Sequence, residues 1–167
     1  IHSFCLDVLR SRIHVLGLTT MPHIFELEQD RLSIVRQVLE DNPPLQRFFL
    51  GKSEKEQQKL LRNCLDLISE QKRLLRVPQN DEIQAMSEER QILFREYEAI
   101  LTSQNAMDYD DIVLNTHRIF TERPSIAELY RRIYRYICVD EAQDLNYAQY
   151  QLLRALCGNE HKNVLMV

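Results

Sequence analysis

Residues 136–144 read Tyr136-Ile137-Cys138-Val139-Asp140-Glu141-Ala142-Gln143-Asp144, four apolar residues running directly into paired carboxylates. An apolar run of this length suits a strand buried on both faces of a parallel sheet, where helices cover both sides. The carboxylates then emerge at the strand's C-terminal end, the edge at which open α/β sheets bind their ligands. Downstream, Asn146 is placed to cap a helix holding Tyr150, Leu153 and Leu156, and Asn163-Val164-Leu165-Met166-Val167 has the pattern of the next buried strand. Strand, helix and strand together predict a βαβ crossover with acids at its active edge.

Nucleotide hydrolysis needs such an arrangement. An aspartate at a strand end can hold Mg²⁺, usually through water, while the metal bridges β- and γ-phosphate oxygens. A neighbouring carboxylate that reaches further can orient and deprotonate the attacking water. The bland alternative is a pair of exposed loop acids that start a helix and are favourable at its positive end.

The composition around this segment bounds the answer. A chain of 167 residues and 19.9 kDa holds one domain's worth of core and is too short for a complete nucleic-acid motor. Hydrophobic residues at 44% against 28% charged exclude disordered and fibrous classes. With only Gly 3 and Pro 5 beside abundant Leu, Glu, Gln and Arg, the chain is expected to be mainly α with a small α/β part, and an all-β sandwich is excluded. A net charge of −4 gives no global electrostatic case for nucleic acid, so any DNA contact must be local. Cys5, Cys64, Cys138 and Cys157 form no C-x-x-C pair and fall in apolar runs, which argues against zinc and for small-hydrophobe roles in a reducing, intracellular compartment. No apolar stretch approaches the roughly 20 residues of a membrane span, and no signal pattern opens the chain. The start at Ile1 rather than Met suggests a piece of something longer.

Upstream of the acidic segment the periodicity is helical. Phe4, Val8, Leu9 and Ile13 predict a helix over 3–13, ended by Gly17, Thr19, Thr20 and Pro22. Ile34, Val35, Val38 and Leu39 predict another over 29–41, stopping before Asn42-Pro43-Pro44. Gly51-Lys52-Ser53 mimics the end of a phosphate loop, G-x-x-x-x-G-K-[ST], but Gln46 stands where the first glycine belongs. Ser53 and Glu56 instead read as a capping box for a helix running to about Arg76. After the break at Val77-Pro78-Gln79-Asn80, helices are expected over 87–102, over 110–120 and over 126–133, the last capped by Ser125 and Glu128. Acids and bases balance through the middle of the chain, which reads as a solvated helical layer without a catalytic cluster. Arg131, Arg132 and Arg135 read as a solvated or salt-bridged face.

Three of these segments resemble motifs of superfamily 1 DNA helicases of the UvrD/Rep type, in that family's order. Val139-Asp140-Glu141-Ala142-Gln143-Asp144 with Asn146, Gln149 and Tyr150 is similar to its motif II, D-E-x-Q-D-x-N-x-x-Q. Asn105-Ala106-Met107-Asp108-Tyr109-Asp110-Asp111 resembles N-x-L-D-F-D-D-L, and Ile1-His2-Ser3-Phe4 with Leu9-Arg10 resembles T-F-H-S on the DNA-binding side. Ile68-Ser69-Glu70-Gln71-Lys72 is similar to an I-S-x-x-K stretch of the helical insertion these enzymes carry.

The resemblance implies an incomplete RecA-like P-loop NTPase sheet, with core pieces at 1–16 and 105–167 around a helical insertion at 17–104. It implies ATP and Mg²⁺, with Asp140 on the metal and Glu141 activating the hydrolytic water. Gln143 would lie near the γ-phosphate and couple nucleotide state to the motor. His2 and Ser3 would touch the backbone of single-stranded DNA, and Lys72 would contact duplex at a single-strand/double-strand junction. An ordinary solvated lysine is the bland alternative for Lys72, and for Ser3 it is a helix N-cap. Asp108, Asp110 and Asp111 are expected to be structural. The family implies the bacterial cytosol and no membrane. No G-x-x-x-x-G-K-[ST] occurs, so the phosphate loop is expected before Ile1, and these residues by themselves are expected neither to hydrolyse ATP nor to unwind DNA. Two other readings stay open: a helical interaction module, which would place Ile137–Val139 outside any parallel sheet, and the motor part of a helicase–nuclease.

Overall fold

A computed structural model describes residues 1–158 and 163–167. In chain order the elements are α1 (His2–Arg12), a 3-10 turn (Ile13–Leu16), β1 (His23–Phe25), α2 (Glu28–Asp41), α3 (Pro43–Phe49), α4 (Glu54–Arg73), α5 (Asp81–Gln84) and α6 (Glu88–Ser103). They continue with β2 (Ala106–Asp108), α7 (Tyr109–Glu122), α8 (Pro124–Ile133), β3 (Ile137–Val139), a 3-10 turn (Ala142–Asp144), α9 (Tyr147–Cys157) and β4 (Val164–Met166). The protein is mainly α with small parallel sheets. It divides into two compact units, one made of Ile1–Met21 with Asp110–Val167, the other of Pro22–Tyr109.

In the first unit, α1 buries Cys5, Val8 and Leu9, and α7 buries Ile112, Val113, Ile119 and Phe120. Phe4 meets Tyr130 edge-on at 5.8 Å between ring centroids, and the Tyr130 hydroxyl lies 2.8 Å from Ser11 Oγ, so the polar end of this buried ring has a partner. α9 starts at a full capping box: Gln149 N–H donates to Asn146 Oδ1 and Asn146 N–H to Gln149 Oε1, both at 3.0 Å. Arg131 Nη1 donates to the Leu156 carbonyl at 2.7 Å, satisfying a last-turn acceptor of α9. Arg132 pairs with Glu128, as a salt-bridged face predicts.

β3 and β4 pair in parallel, Cys138 opposite Leu165, so the βαβ crossover forms and the interaction-module reading loses its required geometry. Burial on both faces does not hold, because among the strand residues only Val139 is buried, while Cys138 is exposed and Leu165 and Met166 are 60% and 51% exposed. In a two-stranded sheet both strands are edges, so neither is enclosed as a central strand would be. Cys138 is therefore not the small core hydrophobe expected, whereas Cys5 is, and burial pushes its thiol up to about 11. The Ser125–Glu128 box is also absent. α8 begins at Pro124, whose fixed φ suits the first helical turn without a side-chain cap, and Glu128 is spent on Arg132.

In the second unit α2, α3, α4 and α6 enclose one apolar core, including Val35, Val38, Phe49, Ile68, Phe94 and Tyr97. The Ser53–Glu56 capping box forms as expected, with Ser53 N–H donating to Glu56 Oε2 at 2.9 Å. α4 stops at Arg73, short of Arg76, because Leu75 turns left-handed at φ +59°. The Arg76 N–H then returns to the Gln71 carbonyl at 3.0 Å and the Leu75 N–H to the Lys72 carbonyl at 2.8 Å, a Schellman closure. α3 occupies the stretch read as a break, since proline is tolerated in the first turn of a helix. β1 and β2 pair in parallel, His23 opposite Ala106 and Phe25 opposite Asp108, a feature too short for periodicity to reveal.

Behind β2 lies a charge cluster. Lys72 is 1% exposed, and its Nζ sits 2.7 Å from Asp108 Oδ2 and 2.6 Å from Glu98 Oε1. Tyr97 donates its hydroxyl to Asp108 Oδ2 at 3.1 Å, and its ring lies 5.2 Å from the ammonium. One ammonium cannot neutralise two carboxylates. Asp108 is 1% exposed and holds two donors; at Glu98 desolvation raises the pKa against the opposing pull of Lys72. Removing one member of a buried pair strands the other, so Lys72→Met is expected to lower the unfolding free energy by about 3–5 kcal/mol, read from the urea midpoint. Because the folded chain binds a proton at Glu98 more readily than the unfolded chain, this group's contribution to stability falls as pH rises from the ordinary carboxylate value through the raised one. Glu98→Gln is expected to remove that slope from Tm measured across the mildly acidic range.

Candidate functional site

The acidic turn is built by a register that runs past the end of the strand. Beyond β3 the Val139 carbonyl accepts the Val167 N–H at 3.0 Å, and the Ala142 N–H donates to the Val167 carbonyl at 2.9 Å. Asp140 and Glu141 lie between these two bonds, displaced from the ladder by the same residue that pins it on either side. Glu141 is left-handed, at φ +53° and ψ +47°. For a residue with a Cβ this conformation costs on the order of 1–2 kcal/mol, and such strain concentrates at functional sites.

Side chains complete the turn. Asp140 Oδ1 accepts the Glu141 N–H at 3.1 Å, and Gln143 Nε2 donates to Glu141 Oε2. The Asp144 N–H returns to the Glu141 carbonyl at 2.9 Å, closing the 3-10 turn that leads through Leu145 to the cap of α9. Asp140, Glu141 and Gln143 are all exposed. Among the described residues Asp140 Oδ2 and Glu141 Oε1 carry no hydrogen bond. Each acid thus keeps one oxygen held and one oxygen toward solvent. A hard oxygen donor on a rigid mount fits Mg²⁺, which takes one or two carboxylates and keeps much of its water. A cavity of about 450 Å³, walled by Phe4, Tyr134, Tyr136, Leu152 and Leu156, opens with Asp140 at its rim.

The other sequence candidates fall in two places. His2 and Ser3 are the first residues of α1, in the same unit as the turn, with Ile1 as the cap residue, so Ser3 is not the N-cap. Ser3 is exposed and His2 half-buried. Burial lowers the pKa of His2, with Asp110 opposing, so a neutral imidazole is favoured near pH 7. Lys72 is in the other unit and buried. A side chain with 1% exposure and two carboxylates on its ammonium offers nothing to a duplex, and it is not the solvated lysine of the bland reading either. Asp108 pairs with Lys72, a structural role, and Asp110 and Asp111 occupy the first turn of α7.

Sequence reasoning missed Tyr97 and Glu98, which complete the Lys72 cluster from adjacent positions of α6. The available signal was the I-S-x-x-K lysine on a helix whose buried face also carries Leu65 and Ile68. The left-handed Glu141 had no signal, since neither glycine nor asparagine marks it.

A sequence model of the UvrD/REP helicase N-terminal domain matches residues 1–167. The ATP-dependent DNA helicase PcrA of Staphylococcus epidermidis is 30% identical over 174 residues, covering 99% of this chain and 22% of that protein. PcrA of Bacillus subtilis is 29% identical over 93% of this chain and 20% of its own length. The ATP-dependent DNA helicase UvrD1 of Mycobacterium leprae is 45% identical over 42% of this chain. The chain therefore spans about a fifth of the length of the PcrA proteins it matches. Because the match runs from the first helix through the acidic turn to the last strand and does not rest on that turn alone, the chain belongs to the UvrD/Rep helicase family.

Proposed function

We propose that this chain is the motif II portion of an ATP-dependent DNA helicase, which couples Mg²⁺-ATP hydrolysis to movement along single-stranded DNA and to opening of duplex at junctions. The observation that carries the reading is the Asp140-Glu141 turn at the C-terminal end of a parallel strand, each carboxylate keeping an oxygen toward solvent. The unit containing α1 and α7 to β4 is read as a piece of a RecA-like core, and Pro22–Tyr109 as its helical insertion. The reducing cytosol fits four free cysteines. No helix among the described residues is long and apolar enough to cross a membrane.

In this mechanism Asp140 would hold Mg²⁺, which would supply neutralisation of phosphate charge. Glu141 accepts a proton from the water that attacks the γ-phosphorus, as the bond to the bridging oxygen breaks and ADP carries away the electron pair. His2 and Ser3 donate to phosphate oxygens of the DNA strand, contacts that position the strand without reading bases. Binding of this kind is salt-sensitive and weakly selective for sequence. Activity is assigned to the full-length protein, because these 167 residues contain no G-x-x-x-x-G-K-[ST] to cradle phosphate.

In the full-length protein Glu141→Gln is expected to lower DNA-stimulated ATP turnover by roughly 10²–10⁴-fold while ATP binding persists. Undiminished turnover would remove Glu141 as the base. His2→Ala is expected to weaken single-stranded DNA binding by about 1 kcal/mol, equally across sequences, in fluorescence anisotropy at fixed salt.

A further inference from the structure

We infer that Gln143 is a positioning residue for Glu141 and not a phosphate contact in its own right. The inference rests on Glu141 being the base proposed above. Glu141 has a long side chain and is exposed, so without a partner its carboxylate would be free to sample many rotamers. Proton abstraction requires one of them, with the accepting oxygen within hydrogen-bond reach of the water. The turn supplies that restraint from two residues downstream, where Gln143 Nε2 donates to Glu141 Oε2.

The geometry divides the two carboxylate oxygens between two tasks. Oε2 is held by the amide, and Oε1 carries no hydrogen bond among the described residues and is the oxygen left to accept the proton. Chemistry favours an amide for this role. A lysine or arginine would hold the carboxylate as well, but its positive charge would weaken the base and repel a metal on Asp140. The amide restrains Glu141 without neutralising it. Asp140 needs no such partner, since the Glu141 N–H of the same turn already holds its Oδ1 at 3.1 Å. The 3-10 turn from Ala142 to Asp144 keeps Gln143 in place through the Asp144 N–H on the Glu141 carbonyl. Glu141 takes one of the two N–H groups on Gln143 Nε2, and a loss of kcat with KM preserved is what sets this role apart from direct recognition of the γ-phosphate.

The test is a double-mutant cycle on DNA-stimulated ATP turnover in the full-length protein, with Gln143→Ala, Gln143→Glu, Glu141→Gln and the Glu141→Gln, Gln143→Ala pair. Both Gln143 variants are expected to lower kcat by roughly 10- to 100-fold with KM for ATP within about twofold, because the restraint acts in the transition state and not on ATP binding. Gln143→Glu keeps the size of the side chain and replaces the donor with a repelling charge, so it separates lost positioning from lost packing. In the Glu141→Gln background Gln143→Ala is expected to cost nothing further, as residues acting through one another are not additive. Three results would overturn the inference: kcat unchanged in Gln143→Ala, a raised KM with kcat preserved, or the same fold-loss from Gln143→Ala with and without Glu141. Full turnover by Glu141→Gln alone would instead remove the base assignment itself, and the positioning role with it.

Discussion

Parallel pairing imposes the constraint from which the rest of this structure follows. Two strands running the same way cannot be joined by a tight turn, and need a crossover long enough to carry the chain back to its starting edge. Both sheets here are parallel pairs. For β3 and β4 the crossover is the single helix α9. For β1 and β2 it is the whole run from α2 to α6, so a helical core of four packed helices is also the connection between two three-residue strands. Chain enters that unit at β1 and leaves it at β2, and the pairing of the two holds entrance and exit side by side.

The two sites where charge gathers resolve the same problem in opposite ways. Around Lys72 the charges are removed from water and the cost is met by mutual pairing: an ammonium between two carboxylates, a tyrosine hydroxyl and a ring face. A buried arrangement of this kind fixes β2 on α4 and α6. At Asp140 and Glu141 the charges stay in solvent, and it is the backbone that is constrained, by two bonds to Val167 and a left-handed residue. Rigid main chain with available oxygens is what the proposed Mg²⁺ site would require.

The helices were legible wherever their apolar faces ran for three turns or more. α2, α4 and α6 follow the spacing of Val35, Val38, Leu61, Leu65, Leu93 and Tyr97, and the caps at Ser53 and Asn146 follow from side chains able to accept the backbone donors. What escaped was short or set by contacts distant in sequence. β1 and β2 have three residues each, below the length at which alternation can be recognised, and α3 begins with the prolines that elsewhere mark a break. Lys72 was misplaced for a related reason. A lysine on a helix is solvated by default, and only residues 26 and 36 positions downstream, on α6 and β2, make its burial affordable.

By itself the sequence determined the helical character of the chain, the crossover of β3, α9 and β4, and the placement of Asp140 and Glu141 at a strand end. All of these depend on local spacing, on capping chemistry and on an apolar run that stops at an acid. Tertiary structure alone decided which charges are buried, which strand faces are covered, and how the acidic turn is held. Those outcomes depend on groups separated by tens of residues, such as Val167 bonding on both sides of Asp140 and Glu141 and Asp108 reaching Lys72. Neither partner's identity reveals such a pairing until the chain has folded back to bring the two together.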